Sequence, residues 1–140
     1  MIVVVLVGLL AAIAVPAFVK ARANSMASRL ANDFRVFAYT FETHNIETGG
    51  WALDGVGNAV AADVEPFLQG TNWNQPAPNR GTWDWEKERH GVMAAVGLTA
   101  NSGDAVEVFE KVDRLLDDDG DLMTGRFRFV SDRYIYILAF

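Results

Sequence analysis

An acidic run in the C-terminal third of the chain has the residue types best suited to chemistry. Within Asp117-Asp118-Asp119-Gly120-Asp121, the residues Asp117, Asp119 and Asp121 alternate, so an extended turn would aim their carboxylates the same way. Calcium binds several carboxylate or carbonyl oxygens on a flexible loop. These three residues are therefore a candidate metal site, and calcium is the candidate cofactor. The alternative is a solvated turn, because Asp-Gly is a turn signal and the spacing departs from that of an EF-hand loop.

No recognisable catalytic set accompanies the acidic run. His44 and His90 are isolated in the sequence, which contains no HExxH metal motif, no GxSxG nucleophile motif, no phosphate-binding loop and no cysteine. Asp113 and Arg114 are interpreted as ordinary solvated residues of a helix. We therefore expect a protein that is not an enzyme.

Three tryptophans admit two interpretations. Trp73, Trp83 and Trp85 would suit stacking on a carbohydrate or another ligand, but aromatic side chains also dominate the cores of small domains. Because side chains alternate along a strand, Trp83 and Trp85 share one face. We favour the interpretation that they belong to the core.

The element that precedes these residues is an uncharged N-terminal run, residues 1–19, which ends at Lys20 and Arg22. At ~1.5 Å per residue this run spans ~28 Å, close to the ~30 Å hydrocarbon core of a bilayer. We interpret it as a transmembrane helix. Two alternatives remain. One is a secretory signal peptide, for which Ala12-Ile13-Ala14 would serve as a cleavage site, and the other is a buried core helix.

The helix is expected to continue beyond the apolar run as an amphipathic segment. Apolar residues recur at spacings of three and four, as on one face of a helix. They are Val19, Ala23, Met26, Leu30, Phe34, Phe37 and Phe41. Gly49-Gly50 supplies the stop. The sequence thus predicts a helix with an apolar part, residues 1–19, and an amphipathic part, residues 20–48, followed by a globular head, residues 49–140.

The head is predicted to be a small α+β unit. The segments with strand patterning are 82–86, 92–98, 127–130 and 134–139, and a turn is expected at 88–91. A short helix is expected within 59–68. A longer helix should run through Leu116 with Ser102 or Asp104 as its cap. The predicted fold class is therefore α+β, with a long N-terminal α-helix packed on a small antiparallel β-sheet.

The N-terminal 25 residues resemble the N-terminal helix of type IV pilins and type II secretion pseudopilins. The resemblance is carried by the Val/Leu/Ile run, Gly8, the Leu-Ala-Ala-Ile-Ala segment at 10–14, Pro16 and the polar change at Lys20. It implies a pilin-like fold and a structural subunit of a type IV pilus-like filament, which assembles through its helix to drive protein export. Many major pilins have a C-terminal disulfide, so the absence of cysteine favours a pseudopilin or a minor pilin.

The resemblance also implies partners and an assembly helix. The partners would be copies of the chain, other pilin-like subunits, an inner-membrane assembly platform, a prepilin peptidase and membrane lipid. Small residues permit close helix approach, and a proline loosens a helix. The residues to which these roles are assigned are Gly8, Ala11, Ala12, Ala14 and Pro16. Major pseudopilins bind calcium in a C-terminal loop, which favours the calcium interpretation of the acidic run.

One departure from the family concerns the start of the chain. Family members begin with a short basic leader and a few residues that include a glutamate, whereas Met1 here lies inside the apolar run. We expect the leader and its processing site upstream. Without a basic leader, Lys20, Arg22 and Arg29 would place the C-terminus in the cytoplasm, and a leader reverses that orientation. The expected location is the bacterial inner membrane, single pass, with the head in the periplasm or outside the cell.

The charge of the chain bears on its partners. The net charge is -6 and the pI is near 4.8, which argues against a nucleic-acid surface. Two rival functions remain open. One is a membrane-anchored ligand-binding protein that does not polymerise. The other is a minor pilin for adhesion or DNA uptake, with Arg126, Arg128 and Arg133 as a local basic patch.

Overall fold

A long helix, α1 (Ile2–Thr48), forms the spine of the molecule. The computed structural model describes residues 1–55 and 59–140. The 47 residues of α1 correspond to a length of ~70 Å at ~1.5 Å per residue. The helix ends at Gly49, whose φ of 80° is left-handed and whose N–H donates to the Asn45 carbonyl over 2.9 Å. The predicted extent of the helix and its glycine stop are confirmed.

Within the described residues, four strands form one antiparallel sheet against the second half of α1. They are β1 (Trp83–Arg89), β2 (Val92–Thr99), β3 (Phe127–Val130) and β4 (Arg133–Ala139), in the order β1-β2-β4-β3. Two further helices are α2 (Glu65–Leu68) and α3 (Val106–Leu116), and α3 packs on α1. The predicted α+β fold class is confirmed. A long apolar N-terminal helix over a small antiparallel sheet is a pilin-like architecture.

The first hairpin is longer than predicted. β1 continues to Arg89, which pairs with Val92 of β2, so the turn contains only His90 and Gly91. Both turn residues have positive φ, 54° and 76°, as a two-residue hairpin turn with the twist of its strands requires. The prediction of a four-residue turn at 88–91 is therefore wrong.

The start of α3 also differs from the prediction. The residue before the helix is Ala105, and no side chain caps it. Asp104, which the sequence predicts as a cap, instead accepts hydrogen bonds at Oδ2 from the Asn101 N–H over 2.8 Å and from Asn79 Nδ2 over 3.1 Å. Its carboxylate thus ties the β2–α3 connection to the loop before β1, and it is not available to α3.

The core between α1 and the sheet is aromatic. Phe34 and Phe37 meet the Trp83 ring edge-on, with centroids 4.9 and 4.7 Å apart. Phe41 lies flat on Trp85, whose Nε1 donates to the Ala52 carbonyl over 2.9 Å. The tryptophans with buried side chains are Trp73, Trp83 and Trp85. Their interpretation as core residues is confirmed, and this core fixes the head on the amphipathic half of α1.

Candidate functional site

The apolar part of α1, residues 2–19, extends beyond the head, and no other part of the described chain packs against it. Its large side chains are between 53% exposed, at Leu6, and 78% exposed, at Ile2. The segment is long and apolar enough to cross a membrane, and none of it is buried by the rest of the chain. A core helix of a soluble domain is mostly buried, so that alternative does not hold. Burial of apolar surface is strongly favourable, so this segment requires lipid or other protein around it.

Three of the five predicted assembly residues lie on one side of the apolar segment. Gly8, Ala11 and Ala12 have the i, i+3, i+4 spacing that brings side chains together on a helix. Ala14 lies on another side. No atom of the chain lies within 4 Å of the position that a Cβ at Gly8 would take. The flat strip at these residues is therefore open to a neighbouring helix.

Pro16 lies inside α1, and the helix continues through it. Proline has no N–H to donate, so the Ala12 carbonyl lacks its usual helical partner. The small strip and the missing hydrogen bond therefore occur together, within three turns of the same segment.

The acidic run forms the second candidate site. Carboxylate oxygens of Asp113, Asp117 and Asp119 all lie within 4.8 Å of one another. Asp113 is in the last turn of α3, and Asp117 follows that helix directly. Asp113 is fully buried, and no donor among the described residues makes a hydrogen bond of normal geometry to either of its oxygens. Burial of a carboxylate next to two other carboxylates is costly, and a cation would offset that cost.

Asp117 and Asp119 are held in place by the turn that follows them. Asp117 Oδ2 accepts hydrogen bonds from the Arg126 and Phe127 N–H groups. Asp119 Oδ1 accepts from the Asp121 N–H over 2.9 Å, and its Oδ2 accepts from Thr124 Oγ1 over 3.3 Å. The turn therefore wraps around the two carboxylates and fixes their direction toward Asp113.

A glycine makes this arrangement possible. Gly125 has a φ of 74°, and a Cβ there would clash with Asp117 Oδ2 and lie 2.8 Å from Asp119 Oδ2. The backbone thus passes close to both carboxylates. On another side of the turn, the Arg114 guanidinium would contact a Cβ at Gly120, so one cation of the chain lies near the cluster.

The electrostatics of the cluster follow from burial and mutual repulsion. Burial, and then the neighbouring Asp119 and Asp117 carboxylates, raise the pKa of Asp113 to about 7. The Asp121 N–H, and then Asp113 and Thr124, lower the pKa of Asp119. A proton on Asp113 or a divalent cation among the three carboxylates would relieve the same excess of negative charge.

The structure places the predicted metal residues as follows. Asp117 and Asp119 belong to the cluster, whereas Asp121 turns its Oδ1 to the Met123 N–H 3.0 Å away. Sequence reasoning missed Asp113, and its interpretation as a solvated helix residue is wrong. The sequence signal that could have identified Asp113 as a member of the cluster is its position four residues, or about one helical turn, before Asp117. That spacing brings a residue in the last turn of a helix beside the first residue after it.

The carboxylate oxygens of Asp113, Asp117 and Asp119 could supply three of the ligands of a calcium ion. Calcium takes six to eight oxygen ligands at ~2.3–2.6 Å from carboxylates, carbonyls and water. The three aspartates would supply the charged part of that shell, and the burial of Asp113 beside two other carboxylates is the feature that favours a bound cation.

Three of the remaining sequence candidates, His44, His90 and Arg133, have charged partners within the chain. His44 is buried with Nε2 3.3 Å from Asp63 Oδ2, and His90 Nε2 lies 3.5 Å from Glu86 Oε2. Arg133, one of the three arginines of the predicted basic patch, donates from Nη1 to Asp84 over 2.7 Å and also to Glu86. Its charge is therefore neutralised by two buried carboxylates, which weakens the basic patch.

Comparisons of the chain with family models, with curated protein sequences and with solved structures find no match.

Proposed function

We propose that this protein is a structural subunit of a type IV pilus-like filament, of the type II secretion pseudopilin or minor pilin kind, and that it assembles through α1 to drive protein export. The observation that carries the proposal is the uncovered apolar segment of α1, which continues into an amphipathic half that packs against the head. Lipid would cover this segment while the subunit is stored in the bacterial inner membrane. Identical or related subunits would cover it in the filament.

The exchange of lipid for protein explains why small residues and a proline occur in this segment. Lipid and apolar protein are similarly apolar, so helices associate in membranes mainly through close packing. Gly8, Ala11 and Ala12 offer that packing, and Pro16 allows the helix to adjust. The head would then lie outside the cytoplasm, and an inner-membrane assembly platform and a prepilin peptidase would be the further partners. The protein itself would not act as an enzyme.

A membrane-anchored binding protein is the rival proposal, and one experiment separates the two. The protein is isolated from its native membranes, and its intact mass and N-terminal sequence are determined. Filament assembly predicts a processed start with a methylated amine, upstream of Met1. A start at Met1, or a cut after Ala14, would identify a plain anchor or a signal peptide and would contradict the proposal.

We also propose that the head binds calcium at Asp113, Asp117 and Asp119. Calcium would join the end of α3 to the turn before β3 and would stabilise the head after export. The test is calorimetric titration of the full chain in detergent with Ca²⁺ after treatment with a chelator. Binding of one Ca²⁺ per chain that Asp113→Asn abolishes is expected. Equal binding by the Asp113→Asn variant would contradict the site.

A further inference from the structure

The charge of the chain is unevenly distributed along its length. Residues 1–35 contain four of the twelve Lys and Arg residues but only one of the eighteen Asp and Glu residues, which gives this part a net charge of +3 and the remainder -9. The four cations are Lys20, Arg22, Arg29 and Arg35, and the anion is Asp33. An acidic protein thus has a basic region directly beyond its apolar segment.

A groove lies beside this region, at the base of the head. Ala27 is the first fully buried residue of α1, so the cover that the head provides begins at about this residue. The groove has a volume of about 310 Å³ and lies between α1 and α3, where it is lined by Asn24, Ala27, Ser28, Lys111, Arg114 and Leu115. Arg35 donates a hydrogen bond to the Leu115 carbonyl, which holds the end of α3 against α1.

The groove combines polar donors with apolar surface. Asn24 and Ser28 offer an amide and a hydroxyl, and Lys111 and Arg114 offer two positive charges. Leu115, in the same groove, is 44% exposed. Cations beside exposed apolar side chains are typical of protein surfaces that bind anionic membranes.

The two cations of α3 are available to a ligand. Lys111 Nζ lies 3.3 Å from Glu107 Oε1, and the Glu107 side chain is 74% exposed. Arg114 Nη2 lies 4.0 Å from Glu110 Oε2, and both of these side chains are exposed. Exposed ion pairs contribute little to stability, so the phosphate of a ligand can replace either carboxylate.

The apolar segment sets the height of the groove above the bilayer. A bilayer of ~40–45 Å has a hydrocarbon core of ~30 Å, which leaves ~5–8 Å of headgroups on each side. With residues 1–19 in the core, Lys20 and Arg22 lie in the headgroup layer, and neither forms an ion pair with any described residue. Asn24 lies ~7.5 Å beyond Val19 along the helix, so the groove begins at the outer edge of the headgroups.

We infer that the base of the head binds an anionic phospholipid, with the headgroup phosphate in the groove between α1 and α3. The residues that would contact this phosphate are Asn24, Ser28, Lys111 and Arg114. Lys20 and Arg22 would contact the neighbouring headgroups. A lipid is favoured over free phosphate because the apolar segment tethers the groove to the bilayer and keeps headgroups at a high effective concentration.

The inference rests on the membrane-stored state of the proposed function, and it adds a lipid site that holds the head against the membrane. A subunit that leaves the bilayer for the filament must give up this contact. Anionic lipid would therefore favour the stored subunit over the assembled one.

The first test uses an engineered cysteine, because the chain has none of its own. The full chain with Leu115→Cys is placed in nanodiscs of phosphatidylcholine alone, or of phosphatidylcholine and phosphatidylglycerol in equal parts, and is labelled with a water-soluble maleimide. We expect labelling to be roughly fivefold slower or more in the anionic nanodiscs, because anionic lipid draws the basic base of the head onto the surface. Met123→Cys is the control, since Met123 is 74% exposed and lines a different cavity, and its labelling rate should be the same in both lipids.

The second test removes the cations from the Leu115→Cys protein. Lys111→Gln with Arg114→Gln should abolish the difference between the two lipids. Arg80→Gln with Arg89→Gln removes the same charge beside β1, at the opposite edge of the sheet from β3 and α3, and should retain the difference.

A further pair of substitutions lies outside the core of the head and so leaves its folding intact. Lys20→Gln with Arg22→Gln should also reduce the difference between the two lipids, because these residues contact the neighbouring headgroups. Sodium phosphate added to the phosphatidylcholine nanodiscs should leave the labelling of Leu115→Cys unchanged.

The outcomes separate the lipid site from the filament proposal. Equal labelling of Leu115→Cys in both lipids would overturn the lipid site and leave the filament function standing, and protection by sodium phosphate equal to that by anionic lipid would identify a free phosphate site instead. A lipid difference in a chain that forms no filaments in cells would contradict the function and support the site. A chain that does not insert into nanodiscs at all would contradict both.

Discussion

Phe41 of α1 and Trp85 of β1 stack face to face, with ring centroids 3.8 Å apart and an angle of 6° between the ring planes. Both side chains are at most 1% exposed. This pair joins the amphipathic half of α1 to the first strand of the sheet. The head cannot rotate about α1 without breaking it, so the position of the head along the filament subunit depends on the core that this pair anchors.

We predict that Trp85→Ala lowers the free energy of unfolding by ~3–5 kcal/mol, the range for large aromatic side chains removed from a core. The Nε1–H hydrogen bond to the Ala52 carbonyl is lost as well. Chemical denaturation of the full chain in detergent, followed by circular dichroism, measures the change. Tyr39→Ala is the control, because its side chain is 72% exposed and should alter stability by less than ~0.5 kcal/mol. Equal effects of the two substitutions would contradict the proposed packing.

The buried carboxylate predicts a pH dependence in the absence of calcium. The pKa of Asp113 is about 7 in the folded state and ~3.9 when unfolded. Between these values the folded chain holds a proton that the unfolded chain has lost, so stability falls as pH rises from ~4 to ~7, by at most ~1.4 kcal/mol per pH unit. Above pH 7, Ca²⁺ should restore the lost stability. Thermal unfolding with chelator and with Ca²⁺ measures both effects.

Asp113→Asn should remove this component of the pH dependence and the stabilisation by Ca²⁺. Glu110→Gln, a substitution on the same helix outside the cluster, is the matched control and should retain both. Stabilisation by Ca²⁺ in the Asp113→Asn protein, equal to that in the unmodified chain, would contradict the assignment.

Gly125→Ala tests how closely the turn passes over the cluster. The added methyl group would clash with Asp117 Oδ2, and the positive φ adds strain. We expect a loss of ~1–3 kcal/mol in stability and at least a tenfold loss of Ca²⁺ affinity, measured by calorimetry. Gly103→Ala is the control, because no atom lies within 4 Å of its Cβ position. Unchanged affinity in Gly125→Ala would show that the turn does not shape the site.

A further prediction concerns Arg133 and its two carboxylate partners, Asp84 and Glu86, which lie on the face of the sheet that points away from α1. Arg133→Met would leave Asp84 and Glu86 buried without their arginine partner, and breaking a buried ion pair costs ~3–5 kcal/mol. Adding Asp84→Asn and Glu86→Gln should recover much of the loss, which denaturation will show. Arg89→Met is the control, because Arg89 pairs with Asp54 while 55% exposed, and exposed pairs contribute ~0–1 kcal/mol. No difference between Arg133→Met and Arg89→Met would contradict this role.

The extent of α1 was predictable because a local pattern determines it. An uncharged run, a three- and four-residue apolar spacing and a Gly-Gly stop lie within 50 consecutive residues. The strands were predictable for the same reason, as in 127–130, where prediction and structure agree. Local patterns do not show which strands pair. β4 lies beside β2, although α3 and β3 come between them in the chain.

The acidic site was only partly predictable, for a related reason. Alternation identified Asp117 and Asp119, but the sequence treats Asp113 as one charge among several on an amphipathic helix. Its burial depends on the packing of α3 against α1 and the sheet, and on the turn closing over the end of α3 at Gly125. A role that depends on contacts between distant segments is not visible in the spacing of residues along the chain.

Electron microscopy of filaments sheared from cells that produce the full chain tests the central claim most directly. The comparison is between the unmodified chain and Gly8→Leu. No atom of another part of the chain lies within 4 Å of the position that a Cβ at Gly8 would take, so the added side chain extends into the space that a neighbouring helix would occupy. Val3→Leu, on the opposite side of the same apolar segment, is the matched control. We predict filaments from the unmodified chain and from Val3→Leu, and loss of filaments in Gly8→Leu with normal amounts of protein in the membrane. Filaments of equal number and length from Gly8→Leu, or protein in the membrane that never forms filaments, would contradict the account.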